Sequence, residues 1–152
     1  MSFKNIRLMP TPEEIKKMEP ISPELKAIKD ENDKQLKDIF TGKDNRFVVI
    51  VGPCSADDEE AVCDYMRRLN EVKKQVADKM FIVPRVYTGK PRTTGEGYKG
   101  MMHQPDPEGA PNMVEGIKAI RRMYLRVIEE TGMPLADEML YPSNLPFVED
   151  IL

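Results

Sequence analysis

The sequence predicts a parallel α/β fold. Three short runs, "RFVVIV", "MFIVPRVY" and "MPLADEML", alternate with longer stretches whose apolar residues recur at helical spacing. The first is continuously apolar and is bounded by Gly and Pro, the pattern of a strand buried on both faces of a parallel sheet. Strand and helix then follow each other three times, which calls for right-handed crossovers. The 152 residues fit one core-forming body, with a helical extension over residues 1–43 and the α/β part over 44–152.

The elements follow in order. Beyond a tail rich in Pro and charge, Ser22 is placed to cap a helix with Pro23 at its first position, and Leu25, Ile28, Leu36 and Ile39 fall near one face. "TGKDN" ends it, and a strand is expected near 47–51. "DDEEAVCDYMRRLNEVKKQVADK" opens with acids that suit the positive end of a helix. It carries Val62, Tyr65, Met66, Leu69, Val72 and Val76 as an apolar stripe. A second strand is expected near 80–88, although Pro84 removes one ladder donor. The long connection "TTGEGYKGMMHQPDPEGAP" has the size of a functional loop. Asn112 caps the next helix, which turns Ile117, Ile120, Tyr124, Val127 and Ile128 to the core and stops at Gly132. A third strand is expected near 134–140, and Ser143 as the cap of a final helix in "LPFVEDIL". Three parallel strands leave two open edges, to be covered by further strands or by another copy.

Composition removes several classes of function. With 23 basic and 26 acidic residues the net charge is −3, so no overall field favours nucleic acid or an anionic membrane. No stretch reaches the roughly 20 apolar residues that span a bilayer, and the N-terminus lacks the apolar core of a secretory signal. The expectation is a cytoplasmic protein whose two cysteines, Cys54 and Cys63, are thiols.

Ligands of parallel α/β folds bind where strands deliver their C-terminal ends. "GPCS", "RVYTGKPRTT" and the Asp137–Glu138 pair occupy those positions. Arg85, Lys90 and Arg92 bring positive charge, Thr93 and Thr94 hydroxyls, and Gly95, Gly97 and Gly100 close backbone approach, a set suited to phosphate or carboxylate. A solvated basic loop has the same composition. Cys54 is open to three readings: soft metal ligand, nucleophile or buried structural thiol. Of Asp137 and Glu138, one is expected to point inward and one outward. Cys63 reads as packing, and His103, the only histidine, as a solvated or capping group.

"VVIVGPCS" and "RVYTGKPRTTGEGYKG", in that order and one helix apart, resemble the first, aldolase-like type of 3-deoxy-D-arabino-heptulosonate 7-phosphate synthase, and "MPLADEML" resembles that family's third strand. The likeness runs from about Asp44 to the C-terminus. It implies the first three βα units of a (β/α)8 barrel and condensation of phosphoenolpyruvate with erythrose 4-phosphate, releasing phosphate, at the entry to aromatic amino-acid biosynthesis. It further implies a divalent metal ion (manganese, iron, cobalt or zinc) with Cys54 as one ligand, and Arg85 and Lys90 holding phosphoenolpyruvate. Pro91, Arg92 and Thr93 would face the erythrose phosphate, Lys90 and Glu138 would be catalytic, and Glu138 would lie at the floor of the site. The family's remaining metal ligands, a histidine and two acids, come from later strands and match nothing in this chain. The segment after "KPR" is one residue longer than the family's commoner form, with Tyr98 where that form has tryptophan.

Two readings are therefore set side by side. In one, the chain is an incomplete form of the synthase, inactive alone because one cysteine cannot make a catalytic metal site. In the other, it is a non-catalytic phosphate-binding or regulatory module that pairs with a complete subunit. The resemblance adds a homo-oligomer and an aromatic amino-acid effector as expected partners. An unrelated phosphate-binding α/β protein would need both motifs to coincide by accident.

Overall fold

The computed structural model describes residues 8–89, 98 and 100–152. Two helices open the chain. The first, α1 (Pro12–Met18), was not apparent in the sequence reading, yet Thr11 and Glu14 form a reciprocal capping box around Pro12. The second, α2 (Pro23–Phe40), starts as expected, with the Ser22 side chain accepting from the Leu25 N–H. Strand β1 (Phe47–Val51), helix α3 (Glu59–Val76), strand β2 (Met80–Pro84) and helix α4 (Met113–Thr131) follow.

β1 and β2 pair in parallel, from Phe47 opposite Met80 to Val51 opposite Pro84. α3 makes the crossover between them, with Asp58 as its cap. The expected second strand near 80–88 ends early, because Pro84 closes the ladder and Arg85 forms only an isolated bridge to Ala136. That bridge, Val86 N–H to Ala136 O and Ala136 N–H to Pro84 O, both 2.8 Å, is all that forms of the strand expected near 134–140. Pro134 offers no N–H on the entering side, and past Ala136 a side chain takes over the pairing, as described below. The final helix also differs. A 3-10 helix, η1 (Pro142–Phe147), starts without a side-chain cap from Tyr141 and contains Pro146, which denies it an α-helical continuation.

α4 is the centre of the core. Its capping by Asn112 and by Gly132, in the left-handed region at φ 64°, agrees with the sequence reading. Ile117, Ile120, Met123, Tyr124, Val127 and Ile128 pack with Ile82, Val86, Met66 and Ile15. Gly116 lets α4 lie on the preceding turn, since a Cβ there would stand 1.9 Å from the Met102 carbonyl oxygen. The apolar stripe of α3 is only half used. Val62 and Met66 are buried, while Tyr65 and Val72 remain exposed beside Leu69 and Arg68. Among the described residues β1 pairs on one side alone, and its Phe47 and Ile50 are 72% and 60% exposed. No described helix is long and apolar enough to cross a membrane.

Arg121 of α4 is fully buried and satisfied on every N–H. Nε and Nη2 donate to Glu19 O at 3.0 and 2.8 Å, Nη1 to Phe147 O at 2.6 Å, and the Asp150 carboxylate takes Nη1 and Nη2 at 2.7 and 2.9 Å. One guanidinium thus ties the end of α1 and the segment after η1 to the central helix. Burial alone would raise the Asp150 carboxyl, but the hydrogen bonds and charge of Arg121 outweigh it and hold the group below its ordinary value. A depressed carboxyl stabilises the fold above its unfolded pKa, and that contribution is lost as pH falls through the folded value. Urea denaturation at pH 7 should show Arg121→Ala less stable by about 3 kcal/mol, the low end for a broken buried pair because Asp150 retains some solvent contact. The gap to the parent protein should narrow as Asp150 protonates.

Candidate functional site

The C-terminal ends of β1 and β2 and the Ala136 bridge bring three sequence-distant segments together. Gly52 follows β1 directly, and a Cβ on it would fall 1.9 Å from the Arg85 carbonyl oxygen, so only glycine lets these strand ends approach. The following turn is held by Ala56 N–H to Tyr87 O at 2.9 Å. Its Pro53 carbonyl accepts from Arg85 Nη2 at 2.9 Å, and Arg85 Nη1 pairs with the Glu138 carboxylate. The guanidinium also lies 5.4 Å from the centroid of the Tyr87 ring.

The sequence-derived candidates divide accordingly. Arg85 and Glu138 meet, with the Glu138 side chain 43% exposed. Cys54 is exposed on the loop whose Pro53 touches Arg85, which removes the buried structural reading of this thiol. Cys63 is buried as expected, and burial pushes its thiol up to about 11. Lys90, Pro91, Arg92 and Thr93 lie outside the described residues. His103 serves its loop through its backbone, its N–H donating to Gly100 O and its carbonyl accepting from Asn112 N–H. Among the described residues no three His, Cys, Asp or Glu side chains cluster to hold a metal. One thiol does not supply the three or four ligands a divalent centre needs.

Of the acidic pair, Asp137 is the inward member. Its Oδ1 accepts from the Thr88 N–H at 3.2 Å, and its Oδ2 from the hydroxyls of Thr88 at 2.7 Å and Tyr124 at 2.5 Å. Thr88 and Tyr124 are both buried, and with Asp137, Met102 and Asn144 they line a small cavity under the site. Thr88 was missed by the sequence reading; its position next to a strand end, ahead of the basic loop, was the available signal. Burial, opposed by the hydrogen bonds of Tyr124 and Thr88, raises the Asp137 carboxyl, and burial first, then the neighbouring Asp137, holds the Tyr124 hydroxyl well above its ordinary value.

The guanidinium of Arg85 presents a planar donor edge that a carboxylate already occupies. Any external anion would have to compete with Glu138 for Nη1, while the Pro53 carbonyl holds Nη2.

The family model described as the DAHP synthetase I family matches residues 19–152. The chain is 34% identical over 145 residues to the phospho-2-dehydro-3-deoxyheptonate aldolase, Tyr-sensitive, of Escherichia coli, covering 95% of this chain and 40% of that relative. It is 36% identical to the phospho-2-dehydro-3-deoxyheptonate aldolase of Corynebacterium glutamicum, covering 93% of this chain and 38% of the relative. The structure of phospho-2-dehydro-3-deoxyheptonate aldolase from Francisella tularensis superposes with a TM-score of 0.87 at 28% identity, over 99% of this chain and 44% of that one.

Two measurements test the local geometry. Gly52→Ala should cost about 1–3 kcal/mol in urea denaturation, since the methyl group meets backbone rather than a movable side chain. A raised carboxyl favours the folded state below its unfolded pKa, and that gain is lost as pH rises through the folded value. Asp137→Asn should therefore gain stability relative to the parent protein between pH 4 and pH 8.

Proposed function

Because the chain belongs to the DAHP synthetase I family, we propose that it takes part in condensing phosphoenolpyruvate with erythrose 4-phosphate. Carbon 3 of the enolpyruvate attacks the aldehyde carbon, water adds at carbon 2, and phosphate leaves with cleavage of its carbon–oxygen bond. The observation that carries this reading is the meeting of Arg85, Glu138 and the Cys54 loop at the strand ends, on a chain similar to named aldolases along most of its length.

In this reading Arg85 binds the phosphoenolpyruvate anion, orienting carbon 3 and opposing the charge that develops as phosphate departs. Lys90 is the second cation on the same substrate, and Pro91, Arg92 and Thr93 face the erythrose phosphate. Glu138, displaced from Arg85 by the incoming anion, accepts hydrogen bonds from water or substrate at the floor of the site. A divalent metal ion belongs to the same reading, with Cys54 as one ligand. The described residues do not complete its ligand set, and its other ligands would have to come from elsewhere. The chain spans 40% of the Escherichia coli relative, so the full reaction is assigned to an assembly in which the rest of a barrel fold meets these strand ends. An aromatic amino-acid effector and a homo-oligomer complete the proposal; the Escherichia coli relative is named Tyr-sensitive.

Calorimetric titration with phosphoenolpyruvate should show binding that weakens at least about tenfold in Arg85→Ala, the scale of one lost charge-assisted hydrogen bond. Adding erythrose 4-phosphate and manganese and measuring released phosphate then tests catalysis. Release by this chain alone would mean that copies assemble the missing ligands, binding without release fits an incomplete form or a non-catalytic module alike, and no binding at all removes both.

A further inference from the structure

The backbone ladder between β2 and the third segment stops one step early, and a side chain takes its place. Val86 donates to Ala136 O, so regular parallel pairing would next send the Thr88 N–H to the Glu138 carbonyl. Instead it goes to the Asp137 carboxylate. Side chains alternate along an extended chain. Arg85 and Tyr87 share one side, where the guanidinium lies over the ring, while Val86 and Thr88 are 0% and 1% exposed on the other. Across the bridge, Asp137 bonds on the Thr88 side and Glu138 on the Arg85 side.

We propose that Asp137 is a positioning residue for the Arg85–Glu138 pair. By taking the Thr88 N–H, the Thr88 hydroxyl and the Tyr124 hydroxyl, it fixes the rotation of the segment just past Ala136, where backbone pairing has ended. With Asp137 locked inward, its neighbour is turned outward to face Arg85. Tyr124 lies on the central helix and is fully buried, so the lock is tied to the hydrophobic core. The carboxylate does not touch the Arg85 guanidinium; it acts through Glu138. Its meaning for substrate rests on the phosphoenolpyruvate reading of Arg85, whereas the geometric assignment does not.

The test is NMR of the side-chain guanidinium of Arg85 in arginine-labelled protein, assigned by its loss in Arg85→Lys, with phosphoenolpyruvate titrated into the same samples. In Asp137→Ala the Arg85 signal should move toward that of a solvated arginine and exchange with water at least about tenfold faster. Asp137→Asn keeps a carbonyl for the Thr88 N–H and should restore both, and Tyr124→Phe should fall between. Rescue of the Arg85 signal by Asp137→Asn separates the hydrogen bond to the Thr88 N–H from the charge of the carboxylate. An unmoved Arg85 signal in folded Asp137→Ala overturns the proposal. If that variant loses its near-ultraviolet circular dichroism, an unmoved signal in Tyr124→Phe overturns it equally. If the signal moves as expected in Asp137→Ala while the parent protein does not bind phosphoenolpyruvate, the positioning role is supported and the substrate reading is removed instead.

Discussion

The buried guanidinium of Arg121 is the constraint on which the rest of the arrangement depends. It is the largest fully buried side chain, and its partners come from both ends of the described chain, Glu19 on one side and Phe147 and Asp150 on the other. Burying an ion is costly, and only complete hydrogen bonding makes it tolerable. Every one of its donors is used, so the segments that supply the acceptors have little freedom to move independently. The Lys16–Glu149 and Arg122–Glu19 pairs surround it, but they are partly solvated and add little by themselves.

From that anchored helix the order passes outward to the site. α4 carries Arg121 toward the extension and Tyr124 toward the strand ends, one turn apart on the same helix. Tyr124 meets Asp137 and Thr88, and these set the level at which Arg85 and Glu138 face each other. The close approach at Gly52 adds a second reference from β1. The Arg85 side chain is held by the Pro53 carbonyl, the Glu138 carboxylate and the Tyr87 ring, so the anion-binding role proposed for it would need little further ordering.

Much of this was readable in advance where the signal is local. Ser22, Asn112 and Gly132 announced helix ends by capping chemistry, and the continuous run at β1 announced a strand but not its environment, since the expected burial on both faces is absent and its residues are exposed or half-buried among the described residues. "GPCS" and Arg85 stood at strand ends as expected. What escaped depends on partners distant in sequence. The region near 134–140 has a strand's composition, yet Pro134 and the Asp137 side chain reduce its pairing to one bridge. Arg121 read as one more polar residue on a helix, since nothing nearby in sequence reveals five acceptor contacts from segments about 26 to 102 positions away. Likewise α1 looked like a charged tail because a seven-residue helix has too few turns to show periodicity.

The one-sided pairing of β1 has a consequence for how this polypeptide behaves at high concentration. Phe47 and Ile50 lie exposed on a strand that, among the described residues, has a strand neighbour on one side alone. Two such edges can join without any turn to set their register, so nothing but dilution and charge opposes the encounter. A net charge of −3 is a weak colloidal barrier for a chain of this size. Salt, by screening the remaining repulsion, pushes two such edges toward association.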